Sequence, residues 1–197
     1  MRLFTIGHST HSIEKFVALL ARHSIGCIAD VRSAPYSRHN PQFNRESLRS
    51  SLKAEGIAYV WLGRELGARA EDDSCYVDGR VAFDRLAATP LFREGIDRIV
   101  EGTTKFNIAM MCAEKEPLNC HRTILVAPRL IDAGIEISHI LETGEIEPHA
   151  RTIERLIDLV GLERTDLFRS NDEIIEEAYR LRETDVAYQQ PAAQHPD

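Results

Sequence analysis

Short apolar runs alternate with amphipathic segments along the first 145 residues of this chain. Five of the runs are typical of buried strands, at 3–6, 25–31, 57–62, 106–111 and 135–141. The segments between them carry apolar residues at helical spacing, as in the helix that Ser12 caps. Strands that alternate with helices are joined by crossovers. We therefore predict an α/β fold, a mainly parallel sheet of about five strands with helices on both faces, plus a C-terminal helical appendage.

The pattern changes near residue 145 and defines the predicted organisation. Two amphipathic segments follow that point, and Pro and Gln residues are frequent at the end of the chain. We predict an α/β domain over 1–145, a helical appendage packed on it over 146–188, and a flexible tail over 189–197. A chain of 197 residues suits one domain with a sizeable core. Residues 63–88 are predicted to be a long, mostly irregular segment, a length typical of lids and mobile loops.

Composition excludes several classes of protein. Hydrophobic residues make up 43% of the chain and charged residues 28%, which is typical of soluble globular domains. No apolar run approaches the roughly 20 residues that span a bilayer, and the first residues lack a secretory leader pattern. The cysteines are not spaced like a disulfide framework; they are Cys27, Cys75, Cys112 and Cys120. We therefore predict a cytoplasmic protein that makes no membrane contact.

Charge is distributed unevenly along the chain. The net charge of −7 argues against a general nucleic-acid coat. Residues 1–70 nevertheless carry ten Lys and Arg against five Asp and Glu, whereas residues 141–197 carry six against fourteen. This asymmetry predicts a basic, anion-facing surface on the N-terminal part, unless both segments are only solvated faces.

Polar side chains collect where the predicted strands end. The carboxyl ends of parallel strands meet at one edge of a sheet, where open α/β sheets bind their ligands. Burying so many polar groups there costs free energy unless they pair or bind something, so we predict a site for an anionic substrate. The residues brought to this edge are His8, Ser9, Asp30, Arg32, Cys112, Glu114 and His139 at strand ends, Ser37 and Arg38 in the loop after the second strand, and Cys120, His121 and Arg122 at the start of the helix after the fourth.

Nucleophilic catalysis is the first interpretation of this edge. A cysteine between a strand and a helix, close to arginine and a helix N-terminus, has a lowered pKa and becomes a thiolate. Cys112 and Cys120 both fit that description. Arg122 follows Cys112 by ten positions, however, and not by the six of a phosphatase loop. The spacing therefore gives phosphatase chemistry little support.

Metal binding is the second interpretation. Cys112, Cys120 and His121, with His8 or His139, are ligands that zinc accepts. The spacing is not that of a standard zinc knuckle, and a neighbouring arginine would repel a cation. We therefore assign no metal ligands from the sequence.

Acid–base catalysis without a covalent step uses more of these residues. Asp30 and Glu114 would form a carboxylate pair, His8 or His121 would carry protons, and arginines would clamp phosphates. The predicted catalytic residues are Asp30, Cys112, Glu114, Cys120, His121 and His8, and the predicted substrate-binding residues are Ser9, Arg32, Ser37, Arg38 and Arg122. The alternative is that the thiols are core residues and that Arg–Asp pairs only tie loops together.

Taken together, these motifs resemble the family named domain of unknown function 488. The motifs that carry the resemblance are 5–10 (TIGHST), 30–32 (DVR), Pro35, 37–38 (SR), 111–114 (MCAE), Pro117, 120–122 (CHR), 139–140 (HI), 148–149 (PH), 166–169 (DLFR) and 177–179 (EAY). They occur in order over nearly the whole chain. The resemblance implies an α/β domain with these signature residues and a role with nucleic acids or nucleotides, whereas the family's name records no established activity.

The residues and the resemblance lead to one functional prediction. We predict an enzyme, a hydrolase or a transferase, that acts on a phosphate-bearing substrate, a nucleotide or a nucleic acid, in the strand-end crevice. The alternative is a non-catalytic nucleotide or nucleic-acid binding or sensing module, or a metal-binding protein that uses Cys and His. The sequence indicates no particular cofactor and no oligomeric state.

Overall fold

A computed structural model describes residues 1–191. Its strands are β1 (Arg2–Gly7), β2 (Cys27–Asp30), β3 (Ala58–Trp61), β4 (Tyr76–Val77), β5 (Arg80–Val81), β6 (Ile108–Cys112), β7 (Glu136–Ile140) and β8 (Ile146–Pro148). Within the described range, six of them form one sheet in the order β3-β2-β6-β1-β7-β8. All neighbours in it are parallel except β8, which pairs antiparallel with β7. The predicted α/β fold with a mainly parallel sheet is confirmed.

Helices cover both faces of this sheet, as predicted. They are α1 (Ile13–Arg22), α2 (Arg45–Ala54), α3 (Gly63–Leu66), α4 (Phe83–Ala87), α5 (Pro90–Thr103), α6 (Ala127–Asp132), α7 (His149–Leu159) and α8 (Asn171–Val186). Helices α1 and α2 pack on one face, and α5 to α8 pack on the other. In residues 1–191, none of these helices combines the length and the hydropathy that crossing a membrane requires.

The alternation of side chains along β1 shows how the two cores arise. Successive residues of a strand point to opposite faces of a sheet. Leu3 accordingly belongs to the core under α5 to α8, whereas Phe4 and Ile6 belong to the core under α1 and α2. Phe16 and Leu20 of α1 are fully buried there. Each such side chain stabilises the fold by roughly 1.5–3 kcal/mol.

Two segments differ from the sequence prediction. Strand β8 was not predicted, and residues 63–88 are not mostly irregular, because they contain α3, α4 and the β4–β5 hairpin. Cys75, Val81 and Phe83 of this segment are buried in the larger core, which holds the short elements in place.

The start of the predicted tail contacts the hairpin. Gln189 pairs with Arg80, and the Gln190 amide donates to the Gly79 carbonyl at 2.8 Å. Residues 192–197 of the predicted tail lie outside the described residues.

The segment that leads into α6 begins with a π-helical turn, Arg122–Val126. Pro128 follows inside the helix and cannot donate an amide hydrogen bond, which is a common cause of such irregular turns. The Ala127 amide donates to the Arg122 carbonyl, five residues back. Ile124, Leu125 and Leu130 of this segment are buried, whereas Ile131 is 41% exposed.

Candidate functional site

The three central strands of the sheet end at the same level. Gly7 of β1 pairs with Cys112 of β6, and Asp30 of β2 pairs with Met111 of β6. The connections that leave β1 and β6 lead to helices on opposite faces, α1 and α6. The two loops therefore diverge above adjacent strands, the arrangement in which α/β sheets bind ligands.

Two thiols, an imidazole and a carboxylate converge beside the end of β6. The sulfurs of Cys112 and Cys120 and a ring nitrogen of His121 lie within 4.8 Å of one another. His121 Nδ1 is 3.7 Å from Cys112 Sγ and 3.8 Å from Cys120 Sγ. The Cys112 thiol also donates to Glu114 Oε2 at 3.2 Å. We call these four residues the Cys–His–Glu cluster.

A hydrogen bond to the backbone fixes the orientation of the His121 ring. Its Nε2 lies 3.0 Å from the Val31 carbonyl oxygen. A carbonyl oxygen can only accept, so Nε2 carries a proton and Nδ1 faces the two sulfurs. The backbone that follows β2 thus determines which nitrogen of His121 belongs to the cluster.

The pKa values of the two thiols are shifted in opposite directions. The hydrogen bond with Cys120 and burial raise the pKa of Cys112 well above that of a free thiol. Burial opposes ionisation of Cys120 as well, but the Cys112 thiol, Arg122 and His121 together hold the pKa of Cys120 well below its usual value. Burial lowers the pKa of His121, and the Cys120 thiolate more than reverses that effect. Burial of the carboxyl tip and the same thiolate raise the pKa of Glu114.

Asp30 is completely buried and is bound to Arg32. The Arg32 amide and Nε donate to Asp30 Oδ1 at 3.1 and 2.9 Å, and Nη2 donates to Oδ2 at 2.6 Å. Tyr59 donates its hydroxyl to Oδ2 at 2.7 Å. Both carboxylate oxygens are therefore occupied by donors from the protein. Asp30 fixes the guanidinium of Arg32 at the strand end.

His8 lies on the other side of Arg32. Its Nδ1 donates to the Ser9 carbonyl at 2.8 Å, so its Nε2 is the acceptor of the Arg32 Nη1 hydrogen at 3.1 Å. The ring stacks on Phe43, with the centroids 4.3 Å apart. Burial and the nearby Arg32 lower the pKa of His8 to about 4, so the ring is neutral at pH 7. Ser9 itself adopts a positive φ of 48° in the turn after β1.

The three arginines predicted to clamp phosphate have different surroundings. Arg122 is fully buried, and it donates to the carbonyls of Glu114 and Lys115 at 2.6 and 3.2 Å. Arg32 is occupied mainly by Asp30 and by the Phe43 carbonyl. Arg38 is exposed in the loop before α2.

The loop that carries Arg38 is closed by the predicted binding residue Ser37. Ser37 Oγ accepts from the amides of His39 and Asn40, at 3.2 Å each. Ser37 thus shapes the turn that presents Arg38.

The sequence did not predict a buried hydrogen-bond chain behind the cluster. Arg122 Nε donates to Thr5 Oγ1 at 3.4 Å, and the Thr5 hydroxyl shares a hydrogen bond with His139 Nδ1 at 2.8 Å. A hydrogen bond of 3.0 Å then joins His139 Nε2 to His149 Nδ1, and another of 2.8 Å joins His149 Nε2 to the Tyr179 hydroxyl. The chain joins the site to α7 and α8.

His139 belongs to this chain because of the sheet register. It pairs with Thr5, two residues before the end of β1, and not at the level of the crevice. The prediction that His139 faces the crevice was therefore wrong. In the sequence, Thr5, His149 and Tyr179 stand out only as members of motifs that resemble the family.

His11 is a further polar residue that the sequence did not predict. The residue is 5% exposed, and its Nε2 has no hydrogen-bond partner among residues 1–191. Its backbone is held by the His8 carbonyl and by Gln42. Buried polar atoms normally have a partner, and the Thr123 hydroxyl is the other buried side-chain atom without one in this range.

A cavity of about 330 Å³ lies away from the cluster. It lies between the edge strand β3 and the end of α5, with Phe106 and Ile108 at its border. The cluster residues are not among the residues that line it. The candidate site is therefore defined by its side-chain chemistry and not by this cavity.

Gly7 allows the loop after β6 to lie directly on β1. A Cβ atom at this position would be 1.9 Å from the Glu114 carbonyl oxygen and 2.8 Å from the Lys115 Cα. We expect Gly7→Ala to displace this loop and lower the free energy of unfolding by about 1–3 kcal/mol, the usual cost of overpacking. Urea denaturation would measure it. Gly26→Ala is the matched control, because its Cβ would meet only Phe106, at 3.9 Å. Equal losses in both variants would contradict the close approach.

Fold and site together describe an α/β protein with a thiol–imidazole–carboxylate cluster at the strand ends. The sequence model of the family described as Domain of unknown function DUF488 matches residues 12–127. This is more than half of the chain, which belongs to the DUF488 family and confirms the predicted resemblance. The matched region includes the whole Cys–His–Glu cluster. No curated protein and no solved structure matches the chain.

Proposed function

We propose that this chain is an enzyme, a hydrolase or a transferase, that acts on a phosphate-bearing substrate, a nucleotide or a nucleic acid. The observation that carries the proposal is the convergence of two thiols, an imidazole and a carboxylate above the central strands. Polar groups of this kind are costly to bury, and their convergence is typical of reaction centres. The free thiols suit the reducing cytoplasm, where we propose that the protein works.

Glu114 is the proposed acid–base residue. It is exposed at the surface, yet its carboxylate reaches the buried sulfur of Cys112 at 3.2 Å. It therefore connects solvent with the cluster, as a group that exchanges protons with a substrate must. Arg38 is the proposed contact to the phosphate, because its guanidinium is exposed on the same edge of the sheet. Asp30, Arg32 and His8 are proposed to position the strand ends.

A non-catalytic binding module is the rival proposal. Both sulfurs belong to residues that are less than 5% exposed, as structural thiols would be. In such a module Glu114 would have no part in a reaction, whereas Arg38 would still contribute to binding of an anion. The two proposals therefore differ in what the Glu114 carboxylate does.

Replacement of Glu114 by glutamine tests this difference. The purified chain would be incubated with nucleoside mono-, di- and triphosphates and with single- and double-stranded oligonucleotides, and released products would be quantified. We expect Glu114→Gln to reduce turnover about 100-fold or more, because the amide cannot transfer a proton. Affinity for the same compounds should change little.

Glu94→Gln is the matched control, since Glu94 is an exposed carboxylate on α5 that does not belong to the Cys–His–Glu cluster. It should leave turnover unchanged. Equal turnover in Glu114→Gln and the original chain would overturn the role of Glu114. Binding of an oligonucleotide or nucleotide that Arg38→Ala weakens, without turnover of any compound, would favour the binding module.

A further inference from the structure

We propose that Cys112, Cys120 and His121 form a binding site for Zn²⁺, with Glu114 beside the fourth coordination position. Zinc binds cysteine sulfur at about 2.3 Å and imidazole nitrogen at about 2.0 Å in tetrahedral geometry, so neighbouring ligand atoms lie about 3.5–3.8 Å apart. His121 Nδ1 lies 3.7 and 3.8 Å from the two sulfurs. Both nitrogen–sulfur separations are thus close to those of a zinc tetrahedron, and the two sulfurs lie within 4.8 Å of each other.

The second contact of His121 supports the same assignment. Histidine ligands usually donate their other ring nitrogen to a carbonyl or a carboxylate, which fixes the ring and its tautomer. His121 does so through Nε2, to the Val31 carbonyl at 3.0 Å. The nitrogen that faces the sulfurs is therefore the one that can carry the lone pair for a metal.

The loop between the cysteines explains why the sequence spacing looked unsuitable. After Glu114 the chain makes a short helical turn, Pro117–Asn119, which returns it to the end of β6. Cys112 and Cys120 thus meet although seven residues separate them, and Glu114 lies on the exposed side of the loop. A water molecule in the fourth position would be within reach of that carboxylate.

The charge of Arg122 is compatible with a bound cation. Its guanidinium donates to two backbone carbonyls and to Thr5, which directs its hydrogens away from the sulfurs. Two thiolates balance the charge of Zn²⁺, and the carboxylate of Glu114 balances Arg122. The site with zinc is therefore neutral overall, as burial requires.

Burial distinguishes a ligand role from a nucleophilic one. Cys112 is 4% exposed and Cys120 is 1% exposed. A nucleophile must touch its substrate, whereas a metal ligand needs only to reach the metal. The buried sulfurs can therefore reach a metal ion but not a substrate. The exposed Glu114 can contact a substrate.

Titration of the reduced, chelator-treated full chain with Co²⁺ tests the site. We expect one equivalent to bind, with a thiolate-to-cobalt charge-transfer band and the strong visible bands of tetrahedral cobalt, and we expect Zn²⁺ to displace it. Cys112→Ala and Cys120→Ala should each weaken binding at least tenfold and reduce the charge-transfer band. Cys27→Ala and Cys75→Ala are matched controls, because these cysteines are buried elsewhere, and they should leave the spectrum unchanged.

Thermal unfolding of the unaltered chain provides a measurement that needs no variant. Zn²⁺ should raise Tm, because a ligand that binds only the folded state stabilises it, and Mg²⁺ at the same concentration should not. Absence of a Zn²⁺-dependent shift, or a charge-transfer band that survives in both Cys112→Ala and Cys120→Ala, would overturn the proposal.

Zinc binding itself is independent of the proposed enzyme function. A role of zinc in catalysis rests on that proposed function. If the chain binds zinc but Glu114→Gln does not change turnover, the metal site is supported and the catalytic role of Glu114 is contradicted. Turnover that depends on Glu114 but persists fully in the chelated chain would remove the catalytic role of zinc and leave the enzyme.

Discussion

Asp30→Ala should lower the free energy of unfolding by about 3–5 kcal/mol, the cost of leaving one charge of a buried pair uncompensated. The Arg32 side chain is 6% exposed and that of Asp30 is 0% exposed, so water cannot replace the lost carboxylate. Tyr59 would lose its acceptor at the same time. Urea denaturation followed by circular dichroism would measure the change.

Two comparisons make this result specific. Glu136→Ala removes the acid of an Arg2–Glu136 pair whose side chains are both more than half exposed, and it should cost less than about 1 kcal/mol. The double variant Asp30→Ala/Arg32→Met should cost at least about 2 kcal/mol less than the sum of its single variants, because it leaves no unpaired charge. Strict additivity, or a loss in Asp30→Ala no larger than in Glu136→Ala, would show that the pair does not anchor the strand end.

The strand ends could be predicted from the sequence because each is marked locally. His8, Asp30 and Cys112 each follow or end a short apolar run, and parallel strands must bring such positions to one edge. The order of the strands has no comparable local signal. Strand β6 lies between β2 and β1, and this insertion depends on the packing of segments that are far apart in the chain.

The hydrogen-bond acceptors of the buried arginines could not be predicted from the sequence. A sequence gives the number of donors on Arg32 and Arg122 but not which carbonyls approach them. The Glu114 carbonyl approaches Arg122 because Gly7 lacks a side chain and lets the loop lie on β1. Two of the three arginines predicted to bind phosphate, Arg32 and Arg122, therefore already donate hydrogen bonds within the fold.

Short elements escaped prediction for a different reason. Strand β8 has three residues and ends at Pro148, which is a weak strand pattern. It forms because Ile140 and His139 of β7 offer a free edge to it. The polar chain from Thr5 to Tyr179 similarly depends on contacts between residues that are far apart in sequence.

Arg122→Met should also destabilise the chain by about 3–5 kcal/mol and disturb the cluster. The methionine retains much of the buried stem but cannot donate to the carbonyls of Glu114 and Lys115 or to Thr5. Hydrogen bonds from a charged donor contribute about 1.5–3 kcal/mol each, and the carbonyl packed against Gly7 has little room for a replacement water. Urea denaturation would give the free energy, and Co²⁺ titration would report whether the cluster is still assembled.

Arg129→Met is the matched control in the helix that follows. Arg129 pairs with Asp84 at the surface, with 41% of its side chain exposed, so its loss should cost less than about 1 kcal/mol and leave Co²⁺ binding intact.

Arg122→Lys should recover only part of the stability, because an ammonium group on a single stem cannot reach all three acceptors as the planar guanidinium does. If Arg122→Met were as stable as Arg129→Met, Glu114 would have to be held beside Cys112 by the loop backbone alone.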